Sequence, residues 1–235
     1  MPSFDIIKEV KPEESFRVSG VLNIFDIPST HIKEQFKGNI DIEGKKWNIG
    51  LIVGSSGTGK TTIMKELFKN ASNENYEYKA SSVIDDMPKN KGLKEITKVF
   101  TNVGFSSPPS WLKPYNVLSN GEKMRTDLAR AILEEDELIV FDEFTSVVDR
   151  TVAKTGSLAI NKAIRKMDKK FVAVSCHSDI IEWLEPDWIY FTDTQNFFFI
   201  PMRNELQDPK LKLTYTKLIN LLKREYGKYL GNITI

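Results

Sequence analysis

A chain of 235 residues is long enough for one domain with a sizeable core, or for one domain and a small appendage. Its 33 basic and 32 acidic side chains leave a net charge of +1, which gives no support to a strongly nucleic-acid-binding domain. The single cysteine, Cys176, excludes an intrachain disulfide and points to a reducing, cytoplasmic setting, while no apolar run nears the ~20 residues of a membrane span and Met1 to Asp5 lacks the basic start and apolar core of a leader.

In chain order, residues 16–42 read as short strands broken by Gly20, Pro28 and Gly38, with alternation in Val21-Leu22-Asn23-Ile24-Phe25. Trp47 to Val53 is nearly all apolar and predicts a central buried strand that runs straight into a glycine-rich loop. A helix is expected from Lys60 to Asn70, with Ile63, Met64, Leu67 and Phe68 on one face. Asn70 to Glu77 is loop-like, and Tyr78 to Ile84 reads as a strand closing at Asp85-Asp86.

Leu93 to Val103 has the spacing of an amphipathic helix, and two prolines predict irregular chain over Ser106 to Ser110. Beyond Ser119 a helix runs to about Glu134, then a strand from Glu137 to Phe141 and a helix from Thr151 to Met167. Lys170 to Ser175 is an apolar strand, Ile180 to Leu184 a short helix, Trp188 to Phe191 a strand, and Asn196 to Pro201 a strand-sized apolar run. The alternation predicts an α/β domain over residues 1–201, with a mostly parallel central sheet and a small antiparallel N-terminal β layer. Residues 202–235 form a lysine-rich extension with Leu218, Ile219, Leu221 and Leu222 inside a predicted helix; a solvated face is the first reading and a docking surface the second.

Residues 54–61, Gly-Ser-Ser-Gly-Thr-Gly-Lys-Thr, match G-x-x-x-x-G-K-[ST] in full, so this is a P-loop NTPase pattern. Gly54, Gly57 and Gly59 let the backbone curl so that N–H groups, those of Ser55 and Thr58 among them, point at phosphate oxygens. The helix that starts near Lys60 adds its positive end, with Thr62 in its first turn. Lys60 is expected to neutralise β- and γ-phosphate charge and Thr61 to ligate Mg²⁺. Asp142 and Glu143 end an apolar strand: Asp142 suits a metal hydration shell, and Glu143 the orientation or deprotonation of an attacking water.

Leu118-Ser119-Asn120-Gly121-Glu122-Lys123-Met124-Arg125, followed by Leu128-Ala129-Arg130-Ala131-Ile132, closely resembles the signature helix of ABC-type ATPases. Ser119 is a good N-cap, and Gly121 allows close backbone approach. Residues 144–149, ending at Asp149, look like that family's D-loop, and His177 stands where the family places a switch histidine. The resemblance implies a composite site. The loop, Asp142, Glu143 and His177 of one copy would face Ser119, Gly121 and Glu122 of another across ATP, and ATP would drive a head-to-tail homodimer that hydrolysis releases.

Several positions depart from the family pattern. Asn120 stands where glycine is usual, Glu122 where glutamine is common, and Phe144 in place of a proline. No glutamine lies between Lys60 and Leu118, so Asp85 or Asp86 takes the Q-loop position, Asp85 being the expected metal neighbour. Phe25 is the first choice for an aromatic that stacks on adenine, His31 the second. The stretch 62–117 leaves room only for a reduced helical signature subdomain.

With residues 107–114, 142–149 and 171–177, the pattern looks closest to a soluble ABC-type group of phages and bacteria found beside or fused to a GNAT-like acetyltransferase domain. No such domain fits after Pro201, so a separate partner would have to supply it. The competing readings are the nucleotide-binding subunit of a membrane transporter and a non-hydrolysing nucleotide sensor. The basic tail motivates nucleic acid as a weaker partner.

Overall fold

The structure, a computed structural model, describes residues 3–10, 15–26, 32–69, 76–134 and 137–200. The extension 202–235 and the positions of Pro28 and His31 lie outside the described residues. Strand β1 (Ser3–Val10) pairs antiparallel with β2 (Ile32–Asn39), the small N-terminal layer that the sequence implies. Its first strand lies upstream of the segment read as strands, and the alternation Phe4-x-Ile6 was the signal for it.

The central sheet holds β3 (Ile49–Val53), β4 (Leu138–Phe141), β5 (Lys170–Ser175), β6 (Trp188–Phe191) and β7 (Asn196–Phe199) in the order β4-β5-β3-β6-β7. β3 pairs parallel with both β5 and β6, and β4 parallel with β5; only β7 runs antiparallel. Every residue of β3 is buried, because a central parallel strand is covered on both faces. Its side chains alternate between two cores. Ile49, Leu51 and Val53 pack with Phe100, Leu128, Ile160 and Ile164, whereas Ile52 joins Phe4, Ile63, Met64 and Tyr190 on the other face.

Helix α1 (Phe16–Ile24) connects β1 to β2. On the side of the sheet that faces β1 and β2 lies α2 (Lys60–Leu67). The opposite face is covered by α3 (Leu93–Asn102), α5 (Asn120–Glu134) and α6 (Arg150–Met167), with the four-residue α4 (Pro108–Trp111) between α3 and α5 and the short α7 (Ile180–Leu184) after β5. At the foot of β3, buried Asp187 accepts hydrogen bonds from the Asn48 and Ile49 N–H groups, both at 2.8 Å, and pairs with Arg165 at 3.0 Å. Its charge is thus compensated where burial would otherwise be costly.

Four expectations are corrected. Residues 16–24 are a helix, not strands: Val21, Ile24 and Phe25 also fit a helical spacing, and the Ser15 hydroxyl caps the helix by accepting from Val18 N at 3.1 Å. Gly38 does not break a strand but sits within β2, where an added Cβ would fall 2.6 Å from the Phe4 ring and the Tyr190 hydroxyl. Residues 78–84 form no strand; Val83 N and Ile84 N donate to the Lys113 and Trp111 carbonyls, and Asp86 folds the segment back on Lys79 and Ala80. Pro108 and Pro109 begin α4 rather than preventing it, since the first turn of a helix needs no N–H donor.

Gly50 has no room for a side chain, because an added Cβ would lie 2.0 Å from the Trp188 indole. Gly50→Ala is expected to lower unfolding free energy by about 1–3 kcal/mol or more through overpacking. Gly20→Ala, in open space on α1, should raise it by up to about 1 kcal/mol. Urea unfolding of both variants checks the contrast.

Candidate functional site

β3 delivers the chain directly into residues 54–59, where Gly57 and Gly59 adopt φ of +83° and +80°, a conformation that side chains resist. Lys60 is buried at the start of α2, and its ammonium donates to the Ser55 carbonyl at 2.6 Å across the loop. The Thr58 hydroxyl donates to the same carbonyl at 2.8 Å and contacts Thr192 Oγ1 at 2.5 Å. Gly54 packs against Thr192 and Asp193, and Ser55 N donates to Asp193 Oδ2 at 2.9 Å. Sequence reading missed Thr192 and Asp193, because only the parallel pairing of β3 with β6 brings the end of β6 to this loop.

Beside the loop, a cavity of about 500 Å³ is lined by Thr61 and Thr62 together with Ile6, Lys8 and Lys65. Phe25 is not among its lining residues; it lies 69% exposed at the end of α1. The aromatic ring nearest the loop glycine Gly59 is instead that of Phe36 on β2, a residue with no motif to mark it.

The second group of candidate residues follows β4. Thr61 Oγ1 donates to Asp142 Oδ2 at 2.8 Å, which joins the loop to the strand-end carboxylate although 81 residues separate them. Asp142 Oδ1 accepts from Glu143 N at 2.9 Å. Glu143 is exposed with a φ of +52°, and Thr145 beyond it has a φ of +67°. Between them Phe144 is fully buried, and its N–H donates to the Val174 carbonyl at 2.8 Å. A proline could not make that bond, and the phenyl ring packs edge-on against Phe141 and Phe171. The substitution of the usual proline therefore anchors the carboxylate turn to β5, just before Cys176 and His177.

His177 follows β5 with its N–H donated to Ser175 Oγ at 3.1 Å. Asp149 caps α6 by accepting from Thr151 N at 2.9 Å and Val152 N at 3.0 Å. Asp85 and Asp86 are engaged within their own segment: Asp85 accepts from Ser82 Oγ at 2.5 Å, and Asp86 from Lys79 N and Ala80 N, both at 3.0 Å. Among the described residues, no cluster of three or more His, Cys, Asp and Glu side chains forms a ready-made metal cage.

The third group lies at the start of α5. Ser119 and Glu122 form a reciprocal capping box: Ser119 N donates to Glu122 Oε2 at 2.9 Å, and Glu122 N to Ser119 Oγ at 3.3 Å. Ser110 and Ser119 hold the Glu122 carboxyl below the usual carboxylate range by donating to it, with Lys113 adding a favourable charge. Gly121 is needed for packing, because a Cβ there would fall 2.8 Å from Val152 on α6.

Further along α5, Asp127 accepts from the Tyr78 and Tyr115 hydroxyls, each at 2.8 Å, and these two rings stack 3.9 Å apart. Arg130 lies over the Tyr76 and Tyr78 rings. The residues around Asp85 are thereby pinned to the helix that carries Ser119. Burial, and then the Asp127 charge, push both tyrosine hydroxyls well above their ordinary titration range; burial also raises Asp127.

The family model described as the ATPase family associated with various cellular activities (AAA) matches residues 50–214. The chain is 28% identical over 171 residues to the spermidine/putrescine import ATP-binding protein PotA of Borreliella afzelii, covering 58% of this chain and 49% of PotA. It is 31% identical over 97 residues to the energy-coupling factor transporter ATP-binding protein EcfA of Aster yellows witches'-broom phytoplasma, covering 41% of this chain and 34% of EcfA. The chain thus spans less than half the length of these two relatives. In fold it is similar to the dimeric structure of MJ0796, a bacterial ABC transporter cassette, with a TM-score of 0.53 and 13% identity over 79% of this chain and 94% of that one. The chain belongs to the AAA/ABC-type ATPases as a nucleotide-binding domain.

Above the ordinary tyrosine pKa of about 10, an unfolded chain releases the protons that the folded state keeps on Tyr78 and Tyr115. The folded state then binds more protons than the unfolded one, so stability should fall as pH rises past about 10. Tyr78→Phe should flatten that alkaline limb while costing about 1–2 kcal/mol at pH 7 through the lost bond to Asp127. Urea titrations at a series of pH values check both outcomes.

Proposed function

We propose that this AAA/ABC-type ATPase binds Mg²⁺-ATP on residues 54–62 of one copy and recruits a second copy whose Ser119 and Gly121 complete the site. Hydrolysis then separates the pair and resets a partner protein. The observation that carries this reading is the 2.8 Å bond from Thr61 to Asp142, which places a hydroxyl and a carboxylate together at the end of a phosphate-type loop.

These two side chains fit a magnesium ion, which usually takes one or two protein oxygens and completes its shell with phosphate oxygens and water. When bound, it would neutralise charge between the β- and γ-phosphates. Within the chain's own chemistry, Lys60 would leave the Ser55 carbonyl to meet phosphate oxygens. The exposed Glu143 would orient or deprotonate the attacking water. His177, next to Cys176 at the end of β5, would contact the γ-phosphate. The arrival of ATP would thus break a hydrogen bond within the loop and create the anionic surface that a second α5 N-terminus can meet.

No described helix is long and apolar enough to cross a membrane. A cytoplasmic protein acting on a separate partner is the primary reading. A GNAT-like partner rests only on the resemblance of residues 107–114, 142–149 and 171–177. A transporter subunit is the second reading, favoured by the import and energy-coupling names of PotA and EcfA. Co-purification with a multi-span membrane protein would favour it over the first.

Glu143→Gln should slow phosphate release by about 10²–10⁴-fold and trap a dimer with ATP and Mg²⁺. Light scattering of that variant is the decisive measurement: a chain that stays monomeric with saturating ATP defeats the shared-site reading. Lys60→Ala should lose ATP binding itself in a fluorescent-nucleotide titration.

A further inference from the structure

Glu122 does more than cap a helix. Its Oε2 accepts from Ser119 Oγ at 2.8 Å and from Ser119 N at 2.9 Å, while its Oε1 accepts from Ser110 Oγ at 2.7 Å. Ser110 is 5% exposed, so this last bond is shielded from solvent, and it holds the carboxylate oxygen that Ser119 does not. A hydroxyl has one proton to donate, and in the single chain the proton of Ser119 goes to Glu122. The Ser119 N–H at the head of α5 goes there as well.

A phosphate oxygen that approaches this helix end from a second copy needs the same hydroxyl proton. It also meets a full negative charge at hydrogen-bonding distance from its intended donor. Two anions cannot both take that proton. The neutral amide of a glutamine would keep the capping box, which either residue can form, without the charge.

We propose that Glu122 is a positioning residue that acts through Ser119: in the lone chain it holds the serine closed to phosphate, and pairing of two ATP-loaded copies requires it to let go. Ser110 is the latch that keeps the carboxylate in place. The inference rests on the shared-site reading above. It adds that the ATP concentration needed for pairing is set within the chain, at the start of α5 and apart from residues 54–62. It also accounts for Ser110, a buried hydroxyl on a four-residue helix that serves no other part of the site.

The test uses the full chain in the Glu143→Gln background, where hydrolysis does not undo pairing. Light scattering gives the ATP concentration for half-maximal dimerisation, and a fluorescent-nucleotide titration gives the ATP affinity of the undimerised chain. The ratio of the two separates pairing from nucleotide binding and from a folding defect. Adding Glu122→Gln should lower this ratio by about tenfold, a differential of about 1.4 kcal/mol. Adding Ser110→Ala should lower it by a smaller factor in the same direction, since the carboxylate loses one of its three donors. Adding Ser119→Ala should abolish pairing whatever stands at 122.

An unchanged or raised ratio in the Glu122→Gln chain overturns the proposal while leaving the shared site intact. Failure of the Glu143→Gln parent to pair, by contrast, overturns the shared site itself.

Discussion

The parallel pairing of β3 and β4 onto β5 is the constraint on which the rest of the structure depends. Val53 lies opposite Ser175 and Phe141 opposite Ala173, so all three strands end at one edge of the sheet. The loop from Gly54, the carboxylates Asp142 and Glu143, and His177 all emerge there. None of these residues is close to another group in sequence; the register alone assembles them. Hydrogen bonds between β strands are individually modest, but here they are buried under two cores and cannot be exchanged for water without cost.

Local contacts then refine what the register places. The Phe144 N–H bonded to Val174 ties the carboxylate turn to β5, and the phenyl ring fills the core beneath it. Glu143 and Thr145 take left-handed conformations on either side, a backbone cost that the buried anchor between them sustains. At the loop, Asp187 pins the foot of β3 and the end of β6 packs against Gly54. The strand is held at both ends.

The start of α5 is organised on different terms. Tyr78, Tyr115 and Asp127 fasten the helix to the segment that holds Asp85 and Asp86, while Glu122 and Ser119 take up its N-terminal donors and Ser110 donates to Glu122. This end carries acceptors as well as donors, whereas the glycine loop carries mainly donors.

The sequence by itself determined the sheet and the chemistry of its edge. Five apolar strands, the complete loop from Gly54 to Thr61, and the Asp142-Glu143 pair are legible because a buried parallel strand is apolar throughout and a phosphate loop needs fixed residue types. Short apolar runs were ambiguous, as α1 shows, since Val21, Ile24 and Phe25 satisfy both periods until the Ser15 cap selects the helix. Only the tertiary structure decided the long-range partners: Thr192 and Asp193 at the loop, Phe36 against Gly59, Ser110 on Glu122 and Phe144 on Val174. The reason is physical. Residue types and spacing encode local geometry, but which buried donor meets which acceptor is fixed only when elements that are not neighbours in sequence settle into register and pack.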